Sequence, residues 1–218
     1  MKKIFKTTKG ILFLLISFCI VLWLIRISIT GSLFFGFLIW NLFLATIPYI
    51  LSAIIKEKML QSSKLKVILA LFIWLLFLPN APYIITDFIH LHPIKANIVW
   101  LDIFILFAFS STGLVLAILS LTDVYKLIQQ QWNLQYANYF SISATFLCGF
   151  GIYLGRFLRF NSWDIFTNPF TILKKSFLSI NDPKTWFITI SFGSFLYILF
   201  WLFKSTQISV LKDKESFL

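Results

Sequence analysis

The sequence predicts an all-α fold, a polytopic bundle of about six transmembrane helices forming a single integral membrane domain over residues 1–218. Three observations carry this. Hydrophobic residues make up 59% of the chain, charged residues only 12%, and the mean hydropathy is +0.89, whereas a soluble domain carries about a quarter charged residues. Apolar runs recur along the whole chain, most of them near the roughly 20 residues that a helix needs to cross a bilayer. The net charge of +11 comes from Lys and Arg that flank those runs. They build no continuous basic face, which argues against a nucleic-acid partner and for a topology signal.

Lys2, Lys3, Lys6 and Lys9 precede an apolar run from Ile11 to Ile25. It reads as a transmembrane anchor near residues 11–29 and not as a cleaved leader, because the run is long, Ser28 to Ser32 makes a weak cleavage site, and further spans follow. Arg26 is placed to snorkel to the interface. The next runs lie at Leu33–Ile55, Leu65–Leu78, Trp100–Leu121, Tyr136–Leu158 and Trp186–Phe203. Leu65–Leu78 is short: as an ideal helix it rises only about 20 Å, against a hydrocarbon core of about 30 Å. The crossing has to be completed to about residue 85 through Pro79-Asn80-Ala81-Pro82. Its prolines remove two backbone donors and bias Leu78 and Ala81 away from helix, so a broken or kinked helix is expected. Irregular backbone at membrane depth requires cover from neighbouring helices.

Asn41 and Pro48 are candidates to kink the second span around that break, and Asp123 to cap the inner end of the fourth near Lys126. Gly149, Gly151 and Gly155 give the fifth span small positions for close approach. Asn168-Pro169 opens a short helix with Phe170, Leu173 and Phe177 on one face and Lys174 and Lys175 on another, expected along the outer interface. Cys19 and Cys148 lie inside apolar runs without disulfide or zinc spacing and read as small hydrophobes.

With these spans, twelve basic residues fall on one side (Lys2, Lys3, Lys6, Lys9, Lys56, Lys58, Lys64, Lys66, Lys126, Lys204, Lys212, Lys214) and seven on the other (Arg26, Lys95, Arg156, Arg159, Lys174, Lys175, Lys184). The excess marks the cytoplasmic side, so the expected location is the cell membrane, with both termini cytoplasmic. The outer surface then collects Asn80, Tyr83, Asp87, His90 and His92 after the third run, Asp102 at the start of the fourth, and Arg156, Arg159, Asn161 and Asp164 after the fifth.

The stretch LPNAPYIITDFIHL from Leu78 to Leu91, Trp100 with Asp102, and GRFLRFNSWD from Gly155 to Asp164 resemble a bacterial membrane-protein family catalogued as domain of unknown function 1361. The resemblance runs from about the second span to the sixth and implies no established activity or catalytic residue. At Phe160, where many relatives carry tryptophan, an aromatic is kept.

The polar residues admit several readings. Arg156 and Arg159, three apart, share a helix face if the helix continues through them. They then either join Asp102 in a structural ion-pair network, as ionisable groups near hydrocarbon tend to, or hold the anionic group of a lipid headgroup or lipid-linked phosphate. In the second case Asp102 or Asp87 positions the guanidinium groups or serves as a base. Asp87-x-x-His90-x-His92 with Asp102 is a weak metal signature, and no metal is assigned. No Gly-x-Ser-x-Gly elbow occurs, no cofactor is implied, and Ser110, Ser111 and Thr112 are expected to bond to their own helix or a neighbour.

The chain is therefore read as an integral membrane protein of unassigned biochemical function. Its outward polar cluster (Asn80, Asp87, His90, Asp102, Arg156, Arg159, Asn161, Asp164) is suited to a lipid headgroup or small anion, and membrane lipids are the expected surroundings. One alternative is a non-catalytic assembly subunit with a membrane-protein partner. Another is a small carrier or channel, against which stands the near absence of ionisable residues at mid-membrane.

Overall fold

The computed structural model describes residues 7–58, 62–91 and 98–216, with side chains to residue 207. His92 and Lys95 fall outside these residues, as do Lys2, Lys3 and Lys6. The described residues hold six helical stretches long and apolar enough to cross a membrane: Thr8–Thr30, Gly36–Lys58, Lys64–His90, Val99–Gln131, Leu134–Arg156 and Pro183–Gln207. The chain is a multi-pass integral membrane protein, and its backbone is helical because hydrocarbon offers no partner to an unpaired N–H or C=O.

Helix α1 (Thr8–Thr30) starts where the Thr7 side chain accepts from the Gly10 N–H and stops at Gly31, whose φ of 66° closes the end by donating to the Ile27 carbonyl. After α2 (Gly36–Lys58), the third crossing begins as α3 (Lys64–Phe77) and continues as a short turn, α4 (Asn80–Tyr83), and a 3-10 segment (Ile84–His90). Leu78 and Pro79 keep right-handed helical dihedrals, so the bias away from helix expected at Leu78 is not realised. The break lies in the hydrogen bonding. Pro79 and Pro82 donate nothing, Ala81 N–H reaches the Leu78 carbonyl at 3.2 Å, and the turns tighten to the 3-10 pattern.

The break is covered as the lipid argument requires. Helix α5 (Val99–Gln131) is the axis of the bundle: 61% of its spanning window is buried, more than in any other span. It packs on α1, α2, α4, the 3-10 segment, α6 (Leu134–Arg156) and α9 (Pro183–Ser216). Gly113 of α5 lets the Ala81 carbonyl approach so closely that a Cβ there would overlap it, and Ser110 donates to the Ile84 carbonyl at 3.2 Å. Thr112 bonds within its own helix, to the Ala108 carbonyl at 2.8 Å. From the other side Gly151 of α6 admits the Pro79 ring. The small residues of α6 thus serve two neighbours, because Gly149 faces the α9 backbone at Thr189.

The fourth span runs on to Gln131, ten residues beyond Leu121. Asp123 therefore lies inside α5 and does not cap it: it accepts from Lys56 of α2 at 2.5 Å. Pro48 sits within α2, where its carbonyl accepts from Ser120, whose hydroxyl in turn accepts from buried Trp74 Nε1 at 2.7 Å. Between α6 and α9 come a short turn, α7 (Asp164–Thr167), and α8 (Pro169–Ser179). Phe170, Leu173 and Phe177 of α8 are left exposed.

Candidate functional site

One end of the bundle gathers the C-terminal ends of α1, the third crossing and α6, the N-terminal ends of α2, α5 and α9, and the α7–α8 connection. Two buried charge networks and one cleft are found there.

The first network centres on Asp87, which is 1% exposed. One carboxylate oxygen accepts from Asn41 Nδ2 of α2 at 2.7 Å and the other from Arg156 Nη1 of α6 at 3.4 Å. Arg156 also donates to the Thr86 carbonyl at 2.8 Å, the Tyr83 hydroxyl at 3.4 Å and His90 Nε2 at 3.3 Å. A guanidinium only donates, so His90 Nε2 is the acceptor. Asp87 and His90 meet one guanidinium because residues three apart eclipse on a 3-10 helix. The Arg156 Nη1 and Nη2 donors and the Asp87 carboxylate are thus committed to protein groups, and the network ties α2, the third crossing and α6 together.

The second network holds Asp102. Its partner is Arg26 of α1, with Nε to Oδ1 at 2.7 Å and Nη2 to Oδ2 at 3.3 Å, and neither arginine of the fifth-span motif pairs with it. Arg26 does not snorkel. Its side chain is 2% exposed, roofed by the Phe35 ring at 4.5 Å, and reaches the Ser32 carbonyl at 3.4 Å. Burial is tolerated because the guanidinium stacks over the Phe34 and Phe35 rings while a carboxylate answers its charge. With Asp102 so engaged, no group of three His, Cys, Asp or Glu side chains converges among the described residues.

The third feature is a cleft of about 470 Å³ between α2, the third crossing, α6 and the α7–α8 connection. Its walls are apolar, with Leu44, Leu75, Leu76, Leu147, Phe150 and Leu154 among them, and its polar lining comes from Asn41, Asn80, Tyr83, Arg159, Asn161 and Ser162. Asn80 donates to the Phe77 carbonyl and to the Ser162 hydroxyl, each at 3.0 Å, and so ties the broken helix to the loop beyond α6. Asp164 Oδ2 accepts from the Asn161 N–H at 2.7 Å, a back-bond that fixes the loop at the start of α7.

A family model described as "Protein of unknown function (DUF1361)" matches residues 40–199. The chain belongs to this family. No curated protein matches it, and no solved structure does. The DUF1361 region contains the whole Asp87 network and the cleft, whereas Arg26, the partner of Asp102, lies before it.

Arg156 and Arg159 do not share a helix face. Helix α6 ends at Arg156, the Phe160 N–H folds back to the Leu154 carbonyl at 3.1 Å, and Arg159 has a φ of 58°, in the left-handed region. Its side chain is exposed, lines the cleft, and makes no hydrogen bond or ion pair with a described residue. The DUF1361 motif thus separates two arginines of opposite circumstance, one bound into the fold and one at the cleft without a partner among the described residues. The sequence places Asp87, His90 and Arg156 on one surface, but its pattern points Arg156 to Arg159 and Asp102 and not to Asp87 and His90. Sequence reasoning missed Asn41 as the partner of Asp87, although an amide in an apolar run signals a hydrogen-bonding partner, and it missed Arg26, whose counter-charge was the available signal.

Proposed function

We propose that this is a cell-membrane protein with both termini cytoplasmic, whose outward polar end binds an anionic group at the cleft, from a lipid headgroup or a small anion. The observation that carries the reading is Arg159. It is a permanent cation on the cleft lining with five donors and no protein partner among the described residues. Arg26 and Arg156 are consumed by Asp102 and Asp87, and Asn161, Ser162 and Asn80 line the cleft beside Arg159 as neutral polar groups. Asp102 and Asp87 act here as structural counter-ions, each covered by protein.

Native mass spectrometry of detergent-purified protein tests it. The parent is expected to retain an anionic lipid, a lipid-linked phosphate or an added anion such as phosphate, and folded Arg159→Gln to lose it. Equal retention by both would remove Arg159 from the site. Reporter fusions after Lys58 and after His92 test the orientation, with a cytoplasmic signal expected for the first only. A cytoplasmic signal at His92 would invert it.

A further inference from the structure

We infer, resting on that reading, that the occupant of the cleft is an amphiphile with an anionic phosphate-type head and an alkyl chain, taken up sideways from the lipid leaflet. The polar and apolar linings are segregated. Arg159, Asn161 and Ser162 stand on the loop at the membrane-boundary end, while Leu75 and Leu76 of α3 and Leu147 of α6 continue the wall toward mid-membrane. A free anion carries its hydration with it and gains nothing from such a wall, whereas an alkyl chain is matched to it along its length.

The cleft also reaches the lateral surface of the bundle. Trp40 and Leu147 line it and are 55% and 51% exposed, and both lie within spanning helices. Helix α8 fixes the depth of this opening. Its Ile172 lines the cleft, while Phe170 and Phe177 are 85% and 74% exposed, and Lys174 and Lys175 share the helix with them. Lys174, four residues after Phe170 and three before Phe177, shares their face, so such a helix lies in the interface plane with its rings in the acyl boundary and Lys174 extended to headgroup level. The mouth therefore stands where a lipid head and the start of its chain already are.

The test uses the full chain in nanodiscs of phosphatidylcholine with trace phosphatidylglycerol bearing a photoreactive acyl chain, and maps the labelled peptides. Expected is labelling concentrated on the cleft-facing parts of α3 and α6. It should fall at least about tenfold, equivalent to about 1.4 kcal/mol, in Arg159→Gln and in Leu147→Trp, which fills the cleft from its mouth. Ile172→Trp fills it from α8 and serves if the first filling variant fails to fold, judged by thermal melting. Glycerol phosphate and inorganic phosphate are expected to compete poorly. If either competes as well as the lipid, and both filling variants leave anion binding unchanged, the site takes a free anion: the amphiphile is overturned while the anion reading stands. Labelling spread evenly over all lipid-facing helices and indifferent to Arg159→Gln overturns both.

Discussion

Removing the Asp102 carboxylate should destabilise the bundle far more than its place at the start of a span suggests. Asp102→Ala leaves the Arg26 guanidinium at 2% side-chain exposure with one carbonyl at 3.4 Å and two aromatic faces, having lost contacts at 2.7 and 3.3 Å. Breaking one partner out of a buried ion pair typically costs about 3–5 kcal/mol, because the remaining charge is left uncompensated. The unfolding equilibrium should therefore shift by about two to four orders of magnitude. Replacing both partners with apolar groups of similar size, Arg26→Met with Asp102→Leu, should return the protein to within about 1 kcal/mol of the parent. The assay is reversible unfolding in mixed micelles followed by far-ultraviolet circular dichroism, run as a double-mutant cycle. A snorkelling Arg26 would give a loss below about 1 kcal/mol for Asp102→Ala, as for an exposed pair. That result, or a double variant as unstable as the two losses added together, would refute the buried pair.

Three further changes test the framework around the break. Gly113→Ala should cost about 1–3 kcal/mol by melting, despite alanine's better helix propensity, because the new Cβ meets the Ala81 carbonyl and backbone cannot yield as a side chain can. Ser120→Ala removes both the acceptor of Trp74 Nε1 and the donor to the Pro48 carbonyl, and should cost about 1–2 kcal/mol in the same assay. By contrast Lys56→Ala should change stability by less than about 0.5 kcal/mol, since the Lys56 side chain is 42% exposed and water can take the place of its ammonium at Asp123.

The spans were legible because hydrocarbon imposes one rule on every backbone group, so length and polarity decide them locally. The break after Leu78 was legible for the same reason, as a run too short to cross followed by two prolines. What the prolines did to the dihedrals was not, because Leu78 and Ala81 are each fully buried and packing held the helical conformation against a modest local bias. The pairing of Arg26 with Asp102 joins residues 76 apart and depends on which helices are neighbours, which no local pattern states. The split between Arg156 and Arg159 was hidden because Phe157-Leu158-Arg159-Phe160 carries no glycine or proline to announce the helix end. An arginine occupies the left-handed position where glycine usually sits.

That substitution pattern gives a way to separate folding from binding at one residue. An L-amino acid in the left-handed region carries a penalty of about 1–2 kcal/mol, and Arg159 bears it at a φ of 58°. Glycine removes the penalty and adds about 0.5–1 kcal/mol of unfolded-state freedom, so Arg159→Gly should change stability by between about 0 and +1.5 kcal/mol. The guanidinium itself contributes nothing to offset this, because it has no partner among the described residues. The same change deletes the cation at the cleft, so bound anionic lipid should be lost from a protein that melts no lower than the parent. A stabilised protein that still holds its ligand would show that the anion sits elsewhere. A protein destabilised by more than about 1 kcal/mol would give Arg159 a structural role like that of Arg156, since most surface substitutions stay within about 0.5 kcal/mol. Only the combination of undiminished melting and lost ligand fits an arginine kept in a strained conformation for what it binds.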